Sequence, residues 1–343
     1  MSDLAVITED QIVPHSEASP LPFIPIERQR IGWGGYSTVY KEIIVSRHFA
    51  YHQDQGGSIL LNENPLPVAR KRFPYYPDFE REYAILRYLK SARKPHERVV
   101  KHLAGVILNH ENLPKVEHSL LFPLADMHLE QFMSGGNLTK LDFNALLGEL
   151  FNLADALDYL HRGIQTSEGE QLVCWHMDLA PTNILIFNYN HGNCHYPAGI
   201  WKIADFSSSN LIAENRRSLL PPPKLSAGAY VAPEIHHKIE TLIEKSCDIW
   251  SFGCILFDVL LGHFFGGENG LAISKYYFEE NEDISHIAYD VSKHLNKTDS
   301  DTQNVILCKN LVSAVLKTNP TERPTAEFIK NRLASMITKS APT

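Results

Sequence analysis

The stretch Trp175-His176-Met177-Asp178-Leu179-Ala180-Pro181-Thr182-Asn183-Ile184-Leu185, joined through a variable tract to Lys202-Ile203-Ala204-Asp205-Phe206-Ser207, decides how the rest of the chain is read. It holds two carboxylates and a carboxamide in a fixed order. Each sits on a turn beside a short apolar run such as Ile184-Leu185-Ile186 or Trp201-Lys202-Ile203. Runs of that length, bounded by turn residues, read as buried strands. Polar groups at the ends of buried strands are held rigidly, as catalysis demands. Phosphoryl transfer needs one carboxylate facing the incoming hydroxyl and a second carboxylate, with an amide oxygen, on magnesium. Asp178 fits the first role; Asp205 and Asn183 fit the second.

These residues resemble the catalytic loop and magnesium loop of eukaryotic protein kinases, His-Arg-Asp-x-x-x-x-Asn and Asp-Phe-Gly. Three positions depart from that pattern: Met177 replaces Arg, Ala180 replaces Lys and Ser207 replaces Gly. Small-molecule phosphotransferases also carry His-x-Asp-x-x-x-x-Asn, so the remaining motifs must decide.

Upstream, Ile31-Gly32-Trp33-Gly34-Gly35-Tyr36-Ser37-Thr38-Val39-Tyr40 resembles the glycine-rich loop of the same family, with Ser37 at the third glycine position. Glycines let a strand–turn–strand bring backbone N–H groups against phosphates. A strand follows the glycines, not a helix, which disfavours a Rossmann or Walker site. Val68-Ala69-Arg70-Lys71 resembles the family's Val-Ala-x-Lys strand. Period-two alternation puts Ala69 and Lys71 on one face and Arg70 and Arg72 on the other. The next segment, 78–92, reads as a helix capped by Asp78. Glu82 shares an apolar stripe with Leu86 and Leu89, whereas Glu80 lies with Ala84 and Arg87, so Glu82 is expected to pair with Lys71. Ser119 to Ala125 reads as a buried strand entering a hinge. The resemblance implies that Phe122 closes the adenine pocket, that Pro123 to Ala125 border it, and that Val39, Ala69 and Leu185 sandwich the base. Ile31, Gly32, Gly34, Gly35 and Ser37 complete the implied ATP site.

Downstream, Phe143, Leu146, Leu147, Leu150, Leu153, Leu157 and Leu160 recur at helical spacing and read as core. Tyr230-Val231-Ala232-Pro233-Glu234 resembles the family's Ala-Pro-Glu motif, and Asp248-Ile249-Trp250-Ser251-Phe252-Gly253 its Asp-x-Trp-Ser-x-Gly helix. By resemblance, Asp248 accepts backbone N–H bonds from the catalytic loop, and Arg323 of Asn319-Pro320-Thr321-Glu322-Arg323-Pro324-Thr325 pairs with Glu234 through a charge-assisted contact. Residues 46–66, 163–173 and 188–199 read as insertions, the first of them as a surface loop. The last contains His191, Cys194 and His195, which lack a recognised zinc spacing. Between Asp205 and Glu234 lies a Ser- and Pro-rich activation segment. A thioether cannot donate to a phosphate, so Met177 removes the cation that would tie a phosphorylated segment to the catalytic loop.

The chain has 343 residues, is 44% hydrophobic and carries a formal net charge of −8. The charge argues against nucleic acid as a partner. No apolar run reaches the roughly 18 residues a membrane span needs, so no membrane insertion is expected. Five cysteines without CxxC spacing suit an intracellular protein of the cytoplasm or nucleus. Residues 1–25 read as a disordered, Pro-containing leader. The kinase resemblance covers 26–336, with a β-rich N-lobe about 26–123, a hinge about 123–126, an α-helical C-lobe about 127–336 and a tail at 337–343. It implies an α+β, two-lobed fold and an enzyme that uses ATP and Mg2+ to phosphorylate a protein substrate. Pro181 and Tyr230 resemble Ser/Thr-specific members; Ala180 and Ala227 depart from them. A pseudokinase scaffold and a small-molecule phosphotransferase are the alternatives. The residues leave oligomeric state open.

Overall fold

The computed structural model describes residues 4–16, 20–24, 29–35, 37–51, 59–109, 116–189, 197–213, 228–236, 244–265 and 303–339. The chain divides into two compact units: Met1–Lys90 with Val100–Ala125, and Ser91–Val99 with Asp126–Thr343. The first is β-rich and the second helix-rich, the α+β class expected. The division between them falls after Ala125. Residues 91–99, expected in the N-lobe, belong instead to the second unit.

In the first unit the strands are β1 (Ile7–Thr8), β2 (Ile12–Ser16), β3 (Gln29–Trp33), β4 (Thr38–Ile44), β5 (Phe49–Tyr51), β6 (Leu60–Leu61), β7 (Leu66–Phe73), β8 (Ala104–Asn109) and β9 (Val116–Pro123). Six of them form one sheet in the order β2-β8-β9-β7-β4-β3. Strand β7, which carries the Arg70-Lys71-Arg72 run, lies in its interior between β9 and β4. The register aligns Val39 with Lys71, Lys71 with Leu120, and Ala69 with Phe122, so these side chains share one face. Helix α1 (Tyr76–Ser91) serves that face: Phe79 meets Phe73 edge-on at 5.8 Å, and Glu82 reaches Lys71. The helix begins before Asp78, which sits in its first turn instead of capping it. Pro77 is tolerated there because first-turn N–H groups lack helical partners.

The opposite face corrects two expectations. The leader is not free: Ile7 is fully buried, β1 pairs in parallel with β5, and β2 pairs in parallel with β8 at the sheet edge. The tract at 46–66 is more than a surface loop, because Phe49 and Ala50 are buried. Asn62 organises it, accepting from the N–H groups of His48 and Phe49 and donating to the carbonyls of Val45 and Asn64. Ile7 and Phe49 join Ile44, Val68, Ala104, Val106 and Leu121 in one core. The alternating register leaves Val68 and Leu121 an apolar surface that must be covered, and these two segments cover it. The same segments bring Lys90 of α1 within 2.5 Å of Asp10 Oδ1 and 3.1 Å of Glu9 Oε1.

The second unit contains β10 (Met127–His128), α2 (Leu129–Ser134), α3 (Phe143–Arg162), β11 (Ile164–Gln165), β12 (Gln171–Trp175), β13 (Ile184–Phe187), β14 (Ile200–Ile203), β15 (Asn210–Ala213), α4 (Pro233–His236), α5 (Ser246–Phe265), α6 (Gln303–Val315) and α7 (Ala326–Lys339). Asp142 caps α3 by accepting from Asn144 and Ala145 N–H, and the leucine stripe of α3 is buried as its spacing implies. The tract at 163–173 forms a hairpin, β11 with β12, which continues into β15. Helix α5 corrects the hydropathy reading. Asp248 and Asp258 interrupt its apolar run, yet Ser246–Phe264 is long and apolar enough to cross a membrane, with 89% of its most apolar window buried inside the protein. That burial is what a core helix requires.

If residues near the N-terminus belong to the fold, truncating one must be felt. Ile7→Ala is expected to lower stability by about 2–5 kcal/mol, read as a shift in the denaturant midpoint. An unchanged midpoint would return this segment to the status of a tail.

Candidate active site

In the first unit, Lys71 Nζ lies 2.7 Å from Glu82 Oε2, with the two side chains only 6% and 1% exposed. Burial makes each charge depend on the other, since an unpaired ion there is costly. The neighbouring cations turn away, as alternation requires, but not into water. Arg70, 2% exposed, donates to Glu117 Oε1 at 2.6 Å and to Ser119 Oγ at 3.1 Å, and it also faces Glu42 and the ring of Phe23. Arg72 completes the cluster on Glu117. Burial pulls the Arg70 pKa down, and Glu42 and Glu117 oppose that shift.

The glycine hairpin turns between β3 and β4, where Gly34 N–H donates to Ser37 O at 3.0 Å. A Cβ added to Gly34 or Gly35 would meet nothing within 4 Å, so no described protein atom demands glycine at either position. Val39, Ala69, Lys71 and Phe122 share the sheet face described above. Ser37 is buried, Gly32 pairs with Val39, and Ile31 sits exposed at a register shift in β3. Pro123 ends β9, and Ala125 closes the unit. Leu185 lies in the second unit, on β13 opposite His128 and Lys202.

In the second unit the catalytic-loop residues hang on Asp248. One carboxylate oxygen accepts from His176 N–H at 2.8 Å and lies 2.8 Å from His161 Nε2; the other accepts from Met177 N–H at 2.7 Å. Met177 has φ +63, a left-handed conformation that side chains with a Cβ rarely adopt. Two hydrogen bonds to one rigid carboxylate hold it there. Burial alone would raise the Asp248 pKa, but the hydrogen bond and charge of His161, with smaller help from His176 and the Met177 amide, hold it below the usual carboxylate value. The α5 N-terminus also favours an anion in its first turn. His176 Nε2 lies 2.9 Å from Ala204 O, and a carbonyl only accepts, so the proton is on Nε2. Its Nδ1 then accepts from Asp178 N–H at 3.3 Å.

Asn183 and Asp205 are brought to the same end of a hairpin. Strands β13 and β14 pair Ile184 with Ile203, and Ala204 N–H donates to Asn183 O at 2.9 Å. The Asn183 carboxamide nitrogen donates to Asp178 O at 2.7 Å and to Asp178 Oδ2 at 3.3 Å, which leaves its oxygen as the end suited to a cation. Asp205, also at positive φ, +63, presents a carboxylate. An amide oxygen and a carboxylate are the hard donors that Mg2+ takes, and this donor set fits it. Strand β14 is anchored from behind: Glu149 of α3 accepts from Trp201 N–H at 2.9 Å and binds Arg98 through both oxygens. Arg98 O in turn accepts from Ile203 N–H at 2.8 Å.

Farther along, Arg323 grips Glu234 with two bonds, 2.6 and 2.8 Å, from side chains 0% and 1% exposed. It also donates to the carbonyls of Lys317, Thr318 and Ser246. Tyr230 Oη donates to Asp258 Oδ2 at 2.7 Å; burial pushes the Asp258 carboxyl up to about 7, with the Tyr230 bond opposing. His191, Cys194, His195 and Ala227 lie outside the described residues. Sequence reasoning missed the Arg98–Glu149 brace, because Glu149 lies within a leucine stripe where a buried acid gives no periodic signal. It also missed the hydroxyl of Ser207, 2.6 Å from Asp205 Oδ1, although the Gly-to-Ser departure marked the position.

A family model described as protein kinase domain matches residues 26–333. Serine/threonine-protein kinase PKZ1 of Phytophthora infestans is 27% identical over 266 residues, 74% of this chain and 58% of that protein. Serine/threonine-protein kinase SRK2G of Arabidopsis thaliana is 26% identical over 262 residues, 73% of this chain and 65% of that protein. A putative leucine-rich repeat receptor-like serine/threonine-protein kinase of the same plant is 32% identical over 171 residues, half of this chain and 16% of its own length. The chain spans about three fifths of the length of the first two relatives.

Arg323→Ala strands the Glu234 carboxylate in a dry site and is expected to cost about 3–5 kcal/mol. Thermal or denaturant unfolding measures it. A variant as stable as the parent would mean that water reaches Glu234 at once.

Proposed function

This chain belongs to the protein kinase domain family, and on that premise we propose that it transfers the γ-phosphoryl group of ATP to a hydroxyl of a protein substrate, with Ser or Thr as acceptor. The observation that carries this reading is the frame around Asp178. Its backbone carbonyl and carboxylate both bind the Asn183 nitrogen, and the Asn183 carbonyl binds the residue before Asp205. Three polar groups with distinct duties are thus held by one loop and one hairpin, and phosphoryl transfer depends mostly on positioning and charge. Asp178 orients the acceptor hydroxyl and takes its proton. The Asn183 oxygen and the Asp205 carboxylate hold Mg2+, which when bound neutralises charge on the phosphate oxygens. Lys71, kept in place by Glu82, orients the ATP phosphates, and the open backbone at Gly34 and Gly35 suits close approach of a phosphate. Val39, Ala69 and the segment Phe122 to Ala125 of the first unit bear on adenine.

The Ser/Thr preference is supported by the printed names of the relatives and by Pro181 and Tyr230. ATP as donor makes an intracellular compartment, cytoplasm or nucleus, part of the proposal. Ala180, in place of a Lys that would meet the transferred phosphate, favours a second reading: a scaffold that binds nucleotide with little transfer. One assay separates the readings: Mg2+-dependent transfer from labelled ATP to a panel of proteins, with small alcohols as control acceptors. Label on protein supports the proposal; label on alcohols alone, or none at all, overturns it.

Two variants probe the assigned roles. Asp178→Asn is expected to lower turnover about 10²–10⁴-fold, the usual worth of a general base, with ATP affinity retained. Asp205→Asn should lose transfer to a similar degree because a neutral amide holds Mg2+ poorly; full turnover at saturating Mg2+ would remove Asp205 from the site. Regulation offers a further check. Phosphatase treatment of the purified protein, with mass spectrometry confirming no phosphate between residues 207 and 230, should leave activity unchanged because Met177 cannot read a phosphate. A drop of about tenfold, or 1.4 kcal/mol in the barrier, would show that another cation does so.

A further inference from the structure

Ser207 stands where the kinase pattern has glycine, and it places a hydroxyl on the proposed cation ligand. Its Oγ donates to Asp205 Oδ1 at 2.6 Å, and its N–H donates to the same oxygen at 3.2 Å. A carboxylate oxygen offers about two lone-pair directions, so these two donors fill Oδ1. The hydroxyl contact is charge-assisted and at the short end of such bonds, which makes it a strong competitor for that oxygen. Glycine or alanine would remove the hydroxyl donor and keep the N–H.

The surroundings hold this arrangement in place. Phe206, fully buried, meets the His176 ring edge-on at 5.1 Å. Ser208 and Ser209 are buried; Ser209 Oγ donates to His176 O at 3.1 Å, and its N–H donates to Phe206 O at 3.1 Å. Asn210 then enters β15, which is locked to β12 through four residue pairs. On the other side, Asp205 has φ +63 and follows Ala204, which is tied to Asn183 and His176. With the backbone pinned on both sides, Ser207 cannot move aside as a unit. A cation that needs Oδ1 has to displace the hydroxyl.

We propose that Ser207 is a positioning residue that competes with the divalent cation for Asp205 and raises the cation concentration at which the site fills. The inference rests on the reading of Asp205 as a cation ligand and adds a tuning residue that sets its affinity.

The test titrates Mn2+ into the full chain with a non-hydrolysable ATP analogue and follows free Mn2+ by electron paramagnetic resonance. The parent, Ser207→Ala and Ser207→Thr are compared, with analogue affinity in chelator and the melting temperature of the unliganded protein measured alongside. Ser207→Ala is expected to lower the Mn2+ dissociation constant about tenfold, and Ser207→Thr, which keeps the hydroxyl, to retain the parent value. Analogue affinity without cation should be the same in all three, which a merely structural role for Ser207 would not predict. An alanine variant that binds Mn2+ no more tightly than the parent overturns the proposal while leaving Asp205 as a ligand. Weaker binding by that variant also overturns it and makes the hydroxyl itself a cation ligand. If no form retains Mn2+ with the analogue, the cation reading of Asp205 falls, and this inference falls with it.

Discussion

The carboxylate of Asp248 is the constraint on which the loop bearing Asp178 depends. It is buried on the first turn of α5, and its two oxygens accept the N–H groups of successive residues, His176 and Met177. A backbone at φ +63 with a methionine side chain does not persist by local preference. It persists because leaving two buried N–H groups and a buried carboxylate unpaired would cost more than the strain. Once that peptide is pinned, Asp178 follows directly in the chain. His176 is oriented by Ala204 O, so the segment that bears Asp205 is drawn to the same loop. Asn183 closes the arrangement from the far side of the turn.

Elsewhere the structure repeats this device: a buried charge that is tolerable only with its partner. Glu234 with Arg323 joins segments far apart in sequence, and Glu149 with Arg98 braces the strand before Asp205. Neither pair is strong evidence for stability, because desolvation offsets much of the attraction. Each is strong evidence for location, since only one geometry satisfies both ions. In the first unit, Lys71 with Glu82 on one sheet face and the Arg70 cluster on the other do the same for β7. That strand carries three adjacent cations in a sheet interior, and alternation sends them to two environments, each supplied with glutamate.

The N-terminal segment changes what counts as the domain. Strand β1, with the β5 region, covers the face of the sheet that bears Val68 and Leu121, while β2 extends the sheet beside β8. They also bring Glu9 and Asp10 to Lys90, the last-turn cation of the helix that carries Glu82. The covering of one face and the ion pair on the other are thus linked through α1.

Much of the frame was legible in the order of residues alone. Short-range rules decided it: period-two alternation separated Lys71 from Arg70, helical spacing selected Glu82 over Glu80, and the leucine run of α3 announced its buried stripe. The order of Asp178, Asn183 and Asp205 likewise marked the polar residues that the loop and the β13–β14 hairpin hold together. Tertiary structure decided what depends on partners distant in the chain. Ile7 and Phe49 are too sparse to signal a core by pattern, and they become one only because β7 and β9 present an apolar face to them. Glu149 reads as a polar interruption until Arg98 and Trp201 N–H meet it. Ser207 is one substitution in a motif until the left-handed backbone of Asp205 turns a carboxylate oxygen toward its hydroxyl. Sequence patterns report periodicity and residue chemistry; which buried donor meets which acceptor is set by the folded chain, because that is where desolvation makes an unmet group costly.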